Sequence, residues 1–187
     1  MNGLTNRTQT RDGLRGDLVL VALLVALDVA ARLLPHEPNF TPIAASALFA
    51  GTVLRLRGLA FAVPVAAMLI SDAIIGFDSS PMTFVIYGLF TLPALVALLP
   101  ARIRAPGMFA PAIVAYSLVF FAVSNLAVWA FGALYPHTLA GLATCYALAL
   151  PFLPQTVIGD LFWAAVLFGG YALVQMAPRL TTARRSL

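Results

Sequence analysis

Residues 108–134 read MFAPAIVAYSLVFFAVSNLAVWAFGAL, a tract without one charged side chain. A helix crossing a bilayer needs about 20 apolar residues, and this tract exceeds that length. Similar tracts lie on both sides of it: Asp17–Leu34, Thr41–Leu54, Leu59–Phe77, Met82–Leu99 and Thr156–Met176. The segment Thr138–Leu150 is shorter and ends at Pro151 and Pro154, which suits a half-helix better than a crossing. The chain is 61% apolar and 10% charged, whereas a soluble domain carries about 25% charged residues. The expectation is an all-α integral membrane protein, a six-transmembrane-helix bundle plus a short outer helix or re-entrant segment near 138–150. Residues 17–178 form a single transmembrane domain between tails at 1–16 and 179–187. Disorder is expected only near 1–13 and 180–187.

The net charge of +4 comes from arginine, since the chain has no lysine. Arginines cluster before the first tract (Arg7, Arg11, Arg15), after the second (Arg55, Arg57), after the fourth (Arg102, Arg104) and at the end (Arg179, Arg184, Arg185). The intervening loops carry no such cluster, with Arg32 alone near the first of them. The positive-inside rule therefore puts both tails in the cytoplasm of a bacterium, in a multi-pass protein of the inner membrane. Six crossings satisfy that parity, so 138–150 should return to the outer side. The basic N-terminus followed by an apolar run resembles a signal peptide. Asp28 interrupts the run and no small-x-small cleavage site follows, so it reads as an uncleaved first span.

In this threading nearly all polar side chains of the spans fall toward the outside. Asp28, Asp72, Tyr87, Asn125, Trp129 and Asp160 lie in the outer thirds, with His36, Glu37, Asn39, Asp78, Tyr135 and His137 in the adjoining loops. Ionisable groups inside a membrane are costly unless they face a cavity or a partner. Asp72 lies about one turn before the outer end of its span and Asp160 about one turn into the last. Each can contact a ligand, cap a neighbouring helix or pair with Arg32. Gly159 beside Asp160 permits close backbone approach. Asp28 and Arg32 are spaced i, i+4 and would share a helix face. Asn125 can bond a ligand or bridge helices, and Trp129 and Tyr87 can stack on a ring. The expected substrate-binding set is Asp72, Tyr87, Asn125, Trp129, Asp160, His137 and Asn39. The loops 35–41, 76–81 and 135–151 would form its lid. Thr41–Pro42 and Ser80–Pro81 read as N-caps followed by proline at the first helical position.

Ala22, Ala26 and Ala30 make a smooth stripe on the first span, where another helix can pack inside the bundle or dock from outside. Ala47 and Gly51 are a weaker second example. His36 and His137 have no ligand spacing typical of a metal site, so neither a metal nor a cofactor is expected. Cys145 is alone, which excludes an intrachain disulfide. The chain has no G-x-S-x-G, no H-E-x-x-H and no Walker lysine. It has no aromatics interleaved with a basic stripe, which argues against nucleic acid.

The stretches LLPHEPNFTPIAASALFAG, SDAIIGF, NLAVWAFGALYPHT and GDLFW resemble an uncharacterised bacterial family assigned to membrane transport, over about residues 32–170. The plan is also similar to the S (substrate-binding) components of energy-coupling-factor vitamin transporters. Those are six-helix bundles that bind a vitamin or metal near the outer face. The resemblance implies that Ala22–Ala26–Ala30 matches the alanine stripe that docks on a transmembrane coupling subunit, with ATPases supplying energy. A related cobalamin-binding group carries a cysteine after its third helix. Here that place holds Asp78, Ser79 and then SPMTFVIYG, with no cysteine, which speaks against cobalt–thiolate ligation.

The leading expectation is an uptake protein, not an enzyme, that binds a vitamin-like or metal-containing small molecule in an extracytoplasmic-facing pocket, with the lipid bilayer and that substrate as partners. Two alternatives stay open: a structural subunit whose polar residues only bridge helices, and a membrane enzyme acting on a lipid or isoprenoid head group through Asp72, Asp160 and His137.

Overall fold

A computed structural model describes the backbone over residues 2–35, 37–99 and 108–184, and side chains over 13–35, 37–96, 98–99 and 108–176. His36, Arg102 and Arg104 lie outside the described residues, as do the side chains of Arg7, Arg11, Arg179, Arg184 and Arg185. Within the described residues the chain is all-helical, without a strand. The order is α1 (Asn2–Leu33), α2 (Ile43–Val53), α3 (Leu59–Ile75), α4 (Pro81–Thr91), α5 (Phe109–Phe131), α6 (Leu139–Ala149) and α7 (Leu153–Arg184). A 3-10 segment, Leu92–Leu98, continues α4, and another, Leu150–Phe152, joins α6 to α7.

The shortest helices explain the architecture. α2 has 11 residues, about 16 Å at 1.5 Å per residue. Its sequence, IAASALFAGTV, is mostly small, and Pro42 through Gly51 are all buried. Small side chains let other helices close in on every side. α2 accordingly packs against α1, α3, α4, α7 and the 3-10 segment Leu92–Leu98. α1 packs on α3, and α5 on α7. The core follows this arrangement: Leu24, Phe49, Ala60 and Val63 form one cluster, and Ala45, Leu48, Ile113 and Ala164 another.

The outside of the bundle is apolar. Leu18, Val19 and Leu23 on α1, Ile70 and Ile74 on α3, Leu118 and Leu126 on α5, and Leu173 and Val174 on α7 are all exposed. Exposed apolar surface of that kind marks contact with a membrane, a partner or a ligand. Two stretches, Phe109–Phe131 and Leu139–Met176, are long and apolar enough to cross a membrane.

Several boundaries differ from the sequence expectation. α1 begins at Asn2 and α7 runs to Arg184, so helix extends into the segments expected to be tails or disordered. The fourth tract is not one α-helix. Pro93 has no N–H to return to the carbonyl one turn back, and the chain tightens to 3-10 from Leu92. The expected Thr41 cap is absent: Pro42 occupies the N-cap position of α2 with no side-chain hydrogen bond. The Ser80 cap is present, its hydroxyl accepting from the Thr83 N–H with Pro81 opening α4. α6 is a separate 11-residue helix at the place expected for the short segment.

One end of the bundle is fastened by polar contacts. Asp17, at 7% exposure, accepts from the Leu56 N–H at 2.8 Å. The Arg55 side chain lies over Gly13, where an added Cβ would sit 2.8 Å from its Nη1. This end carries the exposed Arg15, Arg55 and Arg57. The buried acids Asp28, Asp72 and Asp160 lie toward the other.

Candidate functional site

The polar end holds a cavity of about 330 Å³. α1 contributes Arg32, the connection to α2 contributes Asn39 and Thr41, and α7 contributes Thr156 and Asp160. Its walls are Ile43, Met68, Ile75, Ile86, Phe90, Tyr116 and Phe120. A second cavity of about 230 Å³ adjoins it, sharing Asn39, Ile86, Phe120 and Thr156 and adding Ser124, Asn125 and Val128 of α5. An apolar space with a few directed polar groups is the usual form of a small-molecule site.

Residues 37–42 of the connection lie at this end, held to α7. Phe40 meets the rings of Phe162 and Trp163 at centroid distances of 5.4 and 6.4 Å. Gly159 makes the approach possible, since a Cβ there would lie 2.9 Å from Phe40 Cδ2 and 3.2 Å from Phe40 Cα. The Gln155 amide donates to Glu37 at 3.3 Å. Asn39 adopts φ 60°, the left-handed region that asparagine tolerates better than most residues.

Beside the cavity, Arg32 Nη1 pairs with Asp72 Oδ1 at 2.7 Å and also donates to the Ser71 hydroxyl. The Tyr87 hydroxyl donates to Asp72 Oδ2 at 2.7 Å. One carboxylate thus joins α1, α3 and α4. The expected Asp28–Arg32 pair is not formed. Asp28 is fully buried and accepts from the Ser46 hydroxyl at 2.8 Å, while its second oxygen has no partner. Ser46 lies in the first turn of α2, where the positive end of the helix dipole favours a carboxylate. Arg32 instead reaches across to α3.

Asp160 is 4% exposed and lines the cavity. Its Oδ2 accepts from the Ser117 hydroxyl at 2.7 Å. No cation pairs with it among the described residues. Tyr116, beside Ser117 on α5, is 8% exposed, also lines the cavity, and its buried hydroxyl has no hydrogen-bond partner among the described residues.

The expected site residues separate into three groups. Asp160 and Asn39 line the main cavity, and Asn125 lines the adjoining one with its amide donating to the Phe121 carbonyl at 2.8 Å. Asp72 and Tyr87 form the ion-pair cluster next to Arg32. Trp129 and His137 line neither cavity: the indole N–H donates to the Pro136 carbonyl at 3.0 Å and the two rings meet edge to face at 5.6 Å. There they fasten the turn between α5 and α6. Cys145 packs under the same turn, near the Asn125 carbonyl. Ala22, Ala26 and Ala30 are exposed, whereas Ala47 and Gly51 are inside.

Sequence reasoning missed Tyr116, Ser117, Phe120, Thr41 and Thr156. A tyrosine and a serine inside an apolar tract were the available signal. Their pairing with Asp160 depends on α5 packing against α7.

Neither the curated proteins nor the solved structures contain a match to this chain. A family model, described as a family of unknown function (DUF6580), matches residues 14–182, nearly the whole chain, and the protein belongs to that family.

Proposed function

We propose that this chain is a multi-pass inner-membrane protein that takes up a small molecule, binding it in the cavity between Arg32, Asn39 and Asp160. The observation that carries the reading is the cavity: polar groups from α1, α7 and the 34–42 connection converge on an apolar space within a bundle whose exterior is itself apolar. The arginine-bearing end would face the cytoplasm under the positive-inside rule, so the cavity would open outward. α1, α3, α5 and α7, with α4 extended by its 3-10 segment and α2 at the centre, would supply six crossings. α6 would lie on the outer side. The exposed stripe Ala22–Ala26–Ala30 offers a coupling subunit with its ATPases a flat surface on α1.

Two observations favour this reading over its rivals. A purely structural subunit would pack its polar residues without voids, yet Asn125 and Asp160 each line a cavity. An enzyme using Asp72, Asp160 and His137 would bring them together. Here Asp72 is bound to Arg32 and Tyr87, Asp160 to Ser117, and His137 sits on Trp129. The test is native mass spectrometry of the protein released from lipid nanodiscs. A non-lipid small molecule should accompany the wild type at one per chain and be reduced in Ile86→Trp, whose larger side chain intrudes on both cavities. Lipid alone in both proteins would refute the proposal.

A further inference from the structure

We infer that the ligand of this cavity is an organic cation, a protonated amine on a flat apolar body, with the ammonium seated between Asp160 and Tyr116. The inference rests on the uptake reading above and adds the chemistry of the substrate.

The sign of the site follows from how its charges are balanced. Arg32 lines the cavity, but its charge is already matched by Asp72 at 2.7 Å. An anionic ligand would have to compete with that carboxylate. Asp28 stands at the first turn of α2 through Ser46, so the positive helix end there already has its anion. Asp160 lies two turns into α7, beyond the reach of that helix's dipole. Among the described residues its hydrogen-bond partner is the Ser117 hydroxyl. One carboxylate therefore faces the cavity without a cation.

The neighbouring groups suit an ammonium. The buried Tyr116 hydroxyl lacks a partner and can accept a second N–H. Phe120 lies 6.0 Å from the Tyr116 ring and 5.3 Å from Phe90, which makes an aromatic wall. Ring faces attract cations, the more so when water is excluded. A volume of about 330 Å³ is at the small end for ligand sites. It fits one ring with a short amine arm.

The probes are benzylamine, benzyl alcohol and benzoate, of matched size and differing charge. Their binding to the full chain in nanodiscs is measured by calorimetry against empty nanodiscs. Benzylamine should bind saturably, and about ten-fold or more tightly than the other two, the discrimination expected of one charged hydrogen bond. Asp160→Asn, which still accepts from Ser117, should erase that preference, and Tyr116→Phe should weaken it several-fold. A preference for benzoate, or an amine preference that survives Asp160→Asn, overturns the inference. Should Asp160→Asn not fold, the double variant Ser117→Ala/Asp160→Leu serves, which removes the carboxylate together with its donor, and an amine preference that survives it is equally fatal. Binding of benzyl alcohol or benzoate but not benzylamine would leave the pocket standing and remove only the cation. Binding of none of the three would remove both.

Discussion

The Arg32–Asp72 pair gives the most quantitative test of how the polar end is held. Its side chains are 21% and 11% exposed, and the ions are 2.7 Å apart. Replacing Arg32 by Met keeps length and apolar contact but leaves the Asp72 carboxylate with only the Tyr87 hydroxyl. Breaking a buried pair from one side costs about 3–5 kcal/mol. Partial exposure of the arginine puts this pair near the lower figure, about 3 kcal/mol. Asp72→Leu strands the arginine instead, but its long stem can carry the charge toward water, so about 2 kcal/mol is expected. The double variant has no stranded charge. Replacing a whole buried pair by apolar residues is often neutral, so it should lose only about 1 kcal/mol, leaving a coupling of about 4 kcal/mol. The assay is reversible unfolding in mixed detergent micelles, followed by helical circular dichroism, for the wild type and three variants. Losses that simply add would show that the two groups do not depend on each other, and the reading of α1, α3 and α4 as joined through Asp72 would fail.

Other consequences are independent of that pair. Gly141→Ala should be among the worst single changes, since its Cβ would lie 2.0 Å from the Pro136 carbonyl oxygen; loss of folded protein on size exclusion checks it. Gly159→Ala should cost about 1–3 kcal/mol by pushing Phe40 away, and should speed proteolysis within 34–42; an unchanged cleavage rate would remove Gly159 from its role. Ser117→Ala leaves Asp160 without its donor and should destabilise by about 1–3 kcal/mol, an effect that Asp160→Leu in the same chain should largely cancel. Asp78, in the exposed turn before α4, accepts from the Ser80 hydroxyl at 2.7 Å, the Ser80 N–H at 3.0 Å and the Thr83 hydroxyl. These donors hold its carboxyl below the ordinary value. A depressed pKa means that the turn is supported above the ordinary carboxylate range and loses that support as pH falls through the lowered value. The protection of the Ser80 and Thr83 amides, their exchange rates taken relative to an unstructured chain at each pH, should fall on acidification, and Asp78→Asn should flatten the response.

The helical class and the position of most helices were legible because apolar tracts and proline-led starts are local signals. Pro81 after Ser80 marks the start of α4 directly. The buried acids were legible because an ionisable group in an apolar tract is costly and so draws notice. Their partners were not. Asp28 and Arg32 have the right spacing to pair, yet Asp28 meets Ser46 from α2 and Arg32 meets Asp72 from α3. Helix packing, which local spacing does not contain, decides between these partners. Trp129 and His137 line neither cavity for a similar reason. Their depth was right, but a carbonyl freed by the turn at Pro136 satisfies the indole. Tyr116 was overlooked because an aromatic in a long apolar tract usually means core packing.

The cavity itself traces to the length of α2. On the membrane reading proposed above, a helix of about 16 Å at the centre of the bundle would leave part of a bilayer core about 30 Å thick to the connection that precedes it. Longer neighbours carry Arg32, Met68, Phe120 and Asp160 around the end it leaves open. Residues 37–42 lie at that opening in place of another turn of helix. The prolines at 35, 38 and 42 deny the connection helical continuity. Phe40 anchors the connection on α7 at Gly159, while the left-handed Asn39 turns it over the cavity. A cover made this way has few backbone hydrogen bonds, Phe40 N–H to the Glu37 carbonyl being one, and can lift without unwinding a helix. Lengthening α2 by replacing Pro42 with Ala should extend its first turn, stiffen the cover and shrink the space beneath it. If Pro42→Ala protects residues 38–42 from hydrogen exchange and slows ligand entry and release together, the short helix and its loose cover are the gate of this site. Protection without slower exchange of ligand would place the entry elsewhere.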